Sequence, residues 1–185
     1  MSEILVNTIK KADGTGGLTV PTGTGTVPTT NGITMADQFR LTTDKGNGVD
    51  LGSSGEVERT DETTSGTIGT GMTNSSGIFS FPSTGIYLVL VTASFYAQAS
   101  DNNVQISIQV TTDNSSFTEY AVADAGNMAS SAVFCTGSAE LVLDITDTTN
   151  QKIKFRTSSL SGSSVVRGET DRSETIFTFI RLGDT

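Results

Sequence analysis

Few residues in this 185-residue chain have the type and spacing that chemistry needs. Asp144 and Asp147 are the closest to a carboxylate pair. A glycosidase needs two such groups facing each other in a cleft, whereas acids in this setting ordinarily sit in a solvated loop. Cys135 is the single cysteine and has no partner at a telling spacing. It reads as a small buried apolar group, because free cysteine is among the most buried residue types. Gly66-Thr-Ile-Gly-Thr-Gly71 is glycine-rich but lacks the Lys and Ser/Thr of a phosphate-binding loop and precedes no helix, so it reads as a turn or bulge. Asp and Asn side chains in loops are natural calcium ligands, yet no stretch has the regular spacing of a calcium loop. Asn74-Ser-Ser and Asn114-Ser-Ser match the glycosylation sequon by chance composition.

The chain contains no histidine. A Ser-His-Asp triad or Cys-His dyad therefore has no base, and a histidine-ligated zinc or iron site has no ligand. No cofactor and no metal are expected, and the chain is expected not to be an enzyme. The net charge of −9, from 20 acids and 11 bases, opposes a basic nucleic-acid-binding face. It also disfavours anionic membranes. The first 30 residues lack the basic start and apolar run of a secretory signal, and no apolar run approaches the roughly 20 residues of a membrane span. Synthesis in a cytoplasm is expected.

The elements follow from composition. Val, Ile, Thr and Phe are plentiful and helix formers are sparse, which favours strands. Phe39 to Thr42 reads as a short strand, and Asp44 to Ser65 as a surface loop or irregular edge; residues 36–72 hold seven acids against three bases. Gly77 to Pro82 ends at a Pro82–Gly85 turn. Ile86 to Tyr96 is a long strand that is apolar on both faces, so a sheet should cover one side and a partner the other. Val104, Ile106, Ile108 and Val110 alternate with Gln105, Ser107 and Gln109, a half-buried strand. Phe117–Val122 returns after a turn at Asp113–Ser116. Ala139–Thr146, Lys152–Thr157 and Thr175–Leu182 complete the set, the last with the aromatic and β-branched content of a central strand. Seven or eight strands at this spacing predict an all-β fold, a β-sandwich or jelly roll.

Residues 1–35 differ. Thr-Val-Pro-Thr-x-x-Gly occurs twice in a row over residues 19–32. Each Pro fixes φ and biases the preceding Val toward extended backbone. Such a segment builds no core of its own, yet Ile4, Leu5, Val6, Ile9, Leu18, Val20, Val27 and Ile33 are many apolar groups for a solvated linker. An extended anchoring arm over 1–35, lying on neighbouring subunits, accounts for both; a floppy terminus is the other reading. The second domain is then 36–185, with a first strand and acidic loop at 36–72 and the main strands at 73–185.

The stretch Ile78-Phe-Ser-Phe-Pro-Ser-Thr-Gly-Ile-Tyr87 resembles the C1q/TNF-like jelly roll, in which an aromatic-x-aromatic strand, a Pro and a Gly-Ile-Tyr open the long strand. Phe79, Phe81, Pro82, Gly85, Ile86 and Tyr87 carry the match, and Thr175–Gly183 is similar to the closing strand. The string from Phe39 to Phe-Ile-Arg-Leu-Gly-Asp also looks like the C-terminal domain of tail-fibre and other virion proteins of marine phages, including cyanophages. The resemblance implies a homotrimer, with Tyr87, Phe95, Phe177 and Phe179 in the core or at a seam near the three-fold axis. It further implies a virion-surface protein, made in the host cytoplasm, whose partners are itself and capsid or tail subunits. Two short repeats and no long shaft favour capsid decoration over a fibre that binds host-surface glycan through loops such as Ser158–Arg172.

Overall fold

The computed structural model describes residues 32–185, of which Ile33–Thr185 form one unit. Eleven strands make two antiparallel sheets, and no helix occurs among the described residues. One sheet holds β1 (Met35–Leu41), β2 (Val57–Arg59), β5 (Gly85–Ala97), β8 (Val133–Ile145), β10 (Val165–Val166) and β11 (Ile176–Gly183). β8 pairs along one side of β5; β11 and then β10 pair along the other; β1 and β2 follow outward from β11. The second sheet runs β3 (Thr73–Ser75), β4 (Ile78–Ser80), β9 (Lys152–Ser158), β6 (Val104–Thr111), β7 (Thr118–Ala125).

The predicted strands are all present, and β11 is central, between β5 and β1. Three short ones, β2, β3 and β10, exceed the expected seven or eight because runs of two or three residues carry no readable alternation. β2 lies inside the stretch 44–65 read as a surface loop or irregular edge, and it is an edge strand of its sheet. That stretch also buries Leu51, and its Lys45 and Asp50 bridge Val166 in one sheet and Arg156 in the other. β8 begins six residues before the expected start, because Gly137 and polar outward residues break the apolar pattern there.

The two sheets are joined by phenylalanines. Phe79 on β4 meets Phe39 edge-on at 5.2 Å and Phe155 at 5.6 Å, and lies 5.2 Å from Phe179. Phe155 packs 4.3 Å from Phe177. Offset and edge-to-face aromatic pairs add about 0.5–1.5 kcal/mol each beyond their area burial. Tyr87 is fully buried with them and donates its hydroxyl to the Ser83 carbonyl at 2.9 Å, so its polar end is satisfied.

Tight turns match their residues. Ser76 and Gly77 both take positive φ, 50° and 82°, the signature of the two-residue hairpin joining β3 to β4. Asp113 accepts from the amides of Ser115 and Ser116 at 2.9 and 2.8 Å, which fixes the β6–β7 turn at the expected place.

Phe79→Ala is expected to lower stability by about 3–5 kcal/mol, as large-to-small changes in packed cores do. Phe134→Ala, which loses only the Tyr96 and Arg167 contacts at an exposed position, should cost about 1 kcal/mol. Urea unfolding of both variants checks the contrast.

Candidate functional site

Period two decides where each side chain of β5 goes. Its odd-numbered residues, Tyr87 through Phe95, are fully buried between the sheets. Its even-numbered residues point outward and are half-buried: Ile86, Leu88, Leu90, Thr92, Ser94 and Tyr96. The outer side is thus apolar over the first three positions, polar over the next two, and closed by Tyr96. The registers then build rows across the sheet. Leu88 lies between Val142 on β8 and Ile180 on β11, and Ile180 pairs with Ala36 on β1. Leu90 lies between Glu140 and Thr178, and Ile86 between Asp144 and Gly183. Val142 is 59% exposed and neighbouring Leu182 53%. An outward face of an antiparallel sheet usually alternates to polar. Here it carries an apolar band with no covering element among the described residues.

Further exposed apolar groups stand apart from that band. Tyr120 on β7 is 52% exposed, and Met128 between β7 and β8 is 84% exposed. Phe134 packs 5.2 Å from Tyr96 at the far end of the outer face, with the Arg167 guanidinium over its ring.

Tyr87, Phe95, Phe177 and Phe179 are all in the core, with no exposed surface. Of the two places expected for these aromatics, core or seam, they take the core. Their inward neighbours fill the sandwich, and the outward face of the same strands belongs to Leu88, Leu90 and Ile180. Ile33 is half-exposed ahead of β1. Ile4, Leu5, Val6, Ile9, Leu18, Val20 and Val27 lie outside the described residues.

The other candidates are also placed. Asp147 caps its own turn, accepting from Thr149 and Asn150 amides at 2.8 and 3.2 Å, while Asp144 is exposed on β8; they form no facing pair. Cys135 is half-buried against the core, and burial pushes its thiol up. The Ser158–Arg172 stretch is not a free loop: it contains β10, buries Leu160 and Val166, and ties Arg167 and Arg172 to Glu174 at 2.9 and 2.6 Å.

Several acids have structural work that their scattered spacing did not reveal. Asp37 is buried at the rim of the sandwich, where it takes two hydrogen bonds from Arg59 at 2.8 and 2.9 Å and one from the Met72 amide at 2.8 Å. A Cβ at Gly71 would fall 2.2 Å from Asp37 Oδ2, so only glycine fits there. Arg40 is buried under Glu58, Asp61 and Glu62. Burial pushes the Glu56 carboxyl up, but its own amide, the Ser54 amide and Lys45 outweigh this and hold it below the usual range. Asp50 behaves likewise: burial raises it, and Lys154 and Arg156 hold it down. No cluster of three His, Cys, Asp or Glu side chains suited to a metal occurs among the described residues.

No protein-family model matches the chain, and no curated protein matches it in sequence. Solved structures do. The chain is similar to Eiger TNF from S. frugiperda at 13% identity and a TM-score of 0.61, over 83% of this chain and 95% of that one. It is similar to murine APRIL at 9% identity and a TM-score of 0.59, over 80% and 98%. The fold is a TNF-like jelly roll. The likeness at these identities is one of fold, and the outward band is a property of this chain's own residues.

Carboxylates depressed in the fold stabilise it above their ordinary values, 3.8 for Asp50 and 4.5 for Glu56. That contribution is lost as pH falls through the lower folded values. Stability should therefore be flat near neutrality and fall below about pH 4.5, and Glu56→Gln should make the fall shallower. Urea midpoints from pH 7 to pH 3 test this.

Proposed function

We propose that the chain is a non-enzymatic structural protein that acts as a homotrimer on a virion surface, where it decorates and stabilises the capsid. The observation that carries the trimer is the apolar row Val142–Leu88–Ile180–Ala36 on an otherwise uncovered sheet face. Contiguous outward apolar surface of this kind marks an interaction site. A cyclic oligomer with three subunits needs two different surfaces that fit each other. The band supplies one, and the exposed Tyr120 and Met128, on another part of the sandwich, suit the second. Three is the number that the C1q/TNF-like resemblance implies, and the fold is compatible with it.

The virion assignment follows from the resemblance to marine phage virion proteins read in the string from Phe39 to Asp184, and the anchoring role from the apolar content of residues 1–35. On this reading the partners are further copies and capsid subunits, with neither nucleic acid nor membrane involved. The mechanism is mechanical. Each trimer adds contacts between shell subunits, so that the shell resists internal pressure. The fibre alternative needs loops free to meet a host glycan, and the Ser158–Arg172 segment proposed for that contact is largely folded back. Specific binding of the isolated protein to host cells, with none to capsids, would favour the fibre.

Two measurements test the reading. Light scattering should give a mass near three times the 19.3 kDa chain. Leu88→Asp should reduce it to one chain, because a charge buried in an interface costs several kcal/mol. A monomeric parent protein would sink the trimer. Deleting residues 1–32, which precede the folded unit, should leave the protein trimeric but abolish binding to particles. Retained binding would refute anchoring by the arm.

A further inference from the structure

We propose that the slot between the free edges of β2 and β3 accepts an added strand, and that its occupant is the doubled segment 19–32 of a neighbouring copy. This goes beyond the trimer and does not depend on it. β2 is the last strand of one sheet and β3 the last of the other. An open cleft of about 590 Å³ separates them.

The ladders show which backbone groups face that cleft. The Thr42 amide donates to Glu56 and the Thr60 amide to Gln38, so residues 56, 58 and 60 bond toward β1. Val57 and Arg59 alternate with them and direct their N–H and C=O away from the sheet. Across the slot, Ser75 and Ile78 close the β3–β4 hairpin. Asn74 therefore directs its backbone groups outward too. Two short strand edges with free donors and acceptors thus face one cleft, the arrangement that β-strand addition uses.

The rest of the slot selects the strand. Phe39 and Met72 lie buried beneath the slot, with the Arg59 guanidinium 4.8 Å over the Phe39 ring. Gly52, Gly55 and Gly71 line it without side chains. Its charges are already paired within the fold, Arg59 with Asp37 and Glu58 with Arg40. An uncharged, β-branched strand suits it, and a charged one would lose hydration without a partner. Residues 14–32 contain no charged residue and carry Thr-Val-Pro-Thr twice. Each Pro lacks an N–H and limits pairing to a few residues. β2 and β3 are three residues long, so a short match is what the slot can use. At about 3.3–3.6 Å per residue, the 14 residues from Thr19 to Gly32 span on the order of 45–50 Å, far enough for a molecule packed alongside.

The test uses the full chain, labelled with ¹⁵N, and the free peptide TVPTGTGTVPTTNG. At low protein concentration the peptide should shift the amides of Val57, Arg59 and Asn74 saturably. The same peptide N-methylated at Thr19, Val20, Thr26 and Val27 should not. Without peptide, exchange of those three amides should slow about tenfold as protein concentration rises, equivalent to about 1.4 kcal/mol of protection. Val57→Pro, which removes an N–H that the fold does not use, should abolish both effects while its unfolding curve shows an intact fold. Equal binding of the methylated peptide, shifts elsewhere only, or exchange independent of concentration would each overturn the proposal.

Discussion

Everything in this sandwich depends on one contact between layers. Phe79 projects from the short strand β4 into a nest formed by Phe39, Phe155, Phe177 and Phe179. Phe155 belongs to its own sheet, and the contacts with Phe39 on β1 and with Phe177 and Phe179 on β11 tie that sheet to the other. With no tryptophan and only 6% aromatic residues, the chain concentrates its largest side chains at this one place. Once those rings are inside, the parity of every strand that carries one is set. β5 has Tyr87 and Phe95 inward, so Leu88 and Leu90 have no choice but to face out. The outward band is the geometric counterpart of the core.

The legible parts of the fold were those with clean alternation. Val104 to Val110 and Lys152 to Thr157 show one apolar face and one polar face, and both became strands with that orientation. The double-sided run at Ile86 was equally readable as a strand, but which of its faces held the core was not, since both are apolar. The large aromatics were candidates for either the core or the seam. Packing sent them inward, because rings of that size fill the gap between two sheets best.

What remained illegible is non-local. Asp37 and Arg59 lie 22 residues apart, and Asp50 and Arg156 106 apart. No spacing rule connects such pairs, and a count of net charge hides them. The same holds for the loop 44–65, whose turn-rich composition was correctly noticed but whose bridges to both sheets come from strands more than 100 residues later. Gly71 could have been suspected from its glycine-rich neighbourhood, yet the reason for it, a buried carboxylate 2.2 Å from where its Cβ would be, exists only in three dimensions.

The position of β11 has a consequence for how the molecule is made. It is the last strand of the fold in chain order, yet it lies in the middle of its sheet, paired on one side with β5 and on the other with β1, the first strand. While a ribosome still holds those residues in its tunnel, β1 and β5 have nothing to join them, and Phe177 and Phe179 are missing from the core. The sandwich therefore cannot accumulate strand by strand during synthesis. It stays an open, apolar-edged chain until β11 has emerged and only then closes, which makes the interval before that strand emerges the time when the nascent protein is most exposed to aggregation.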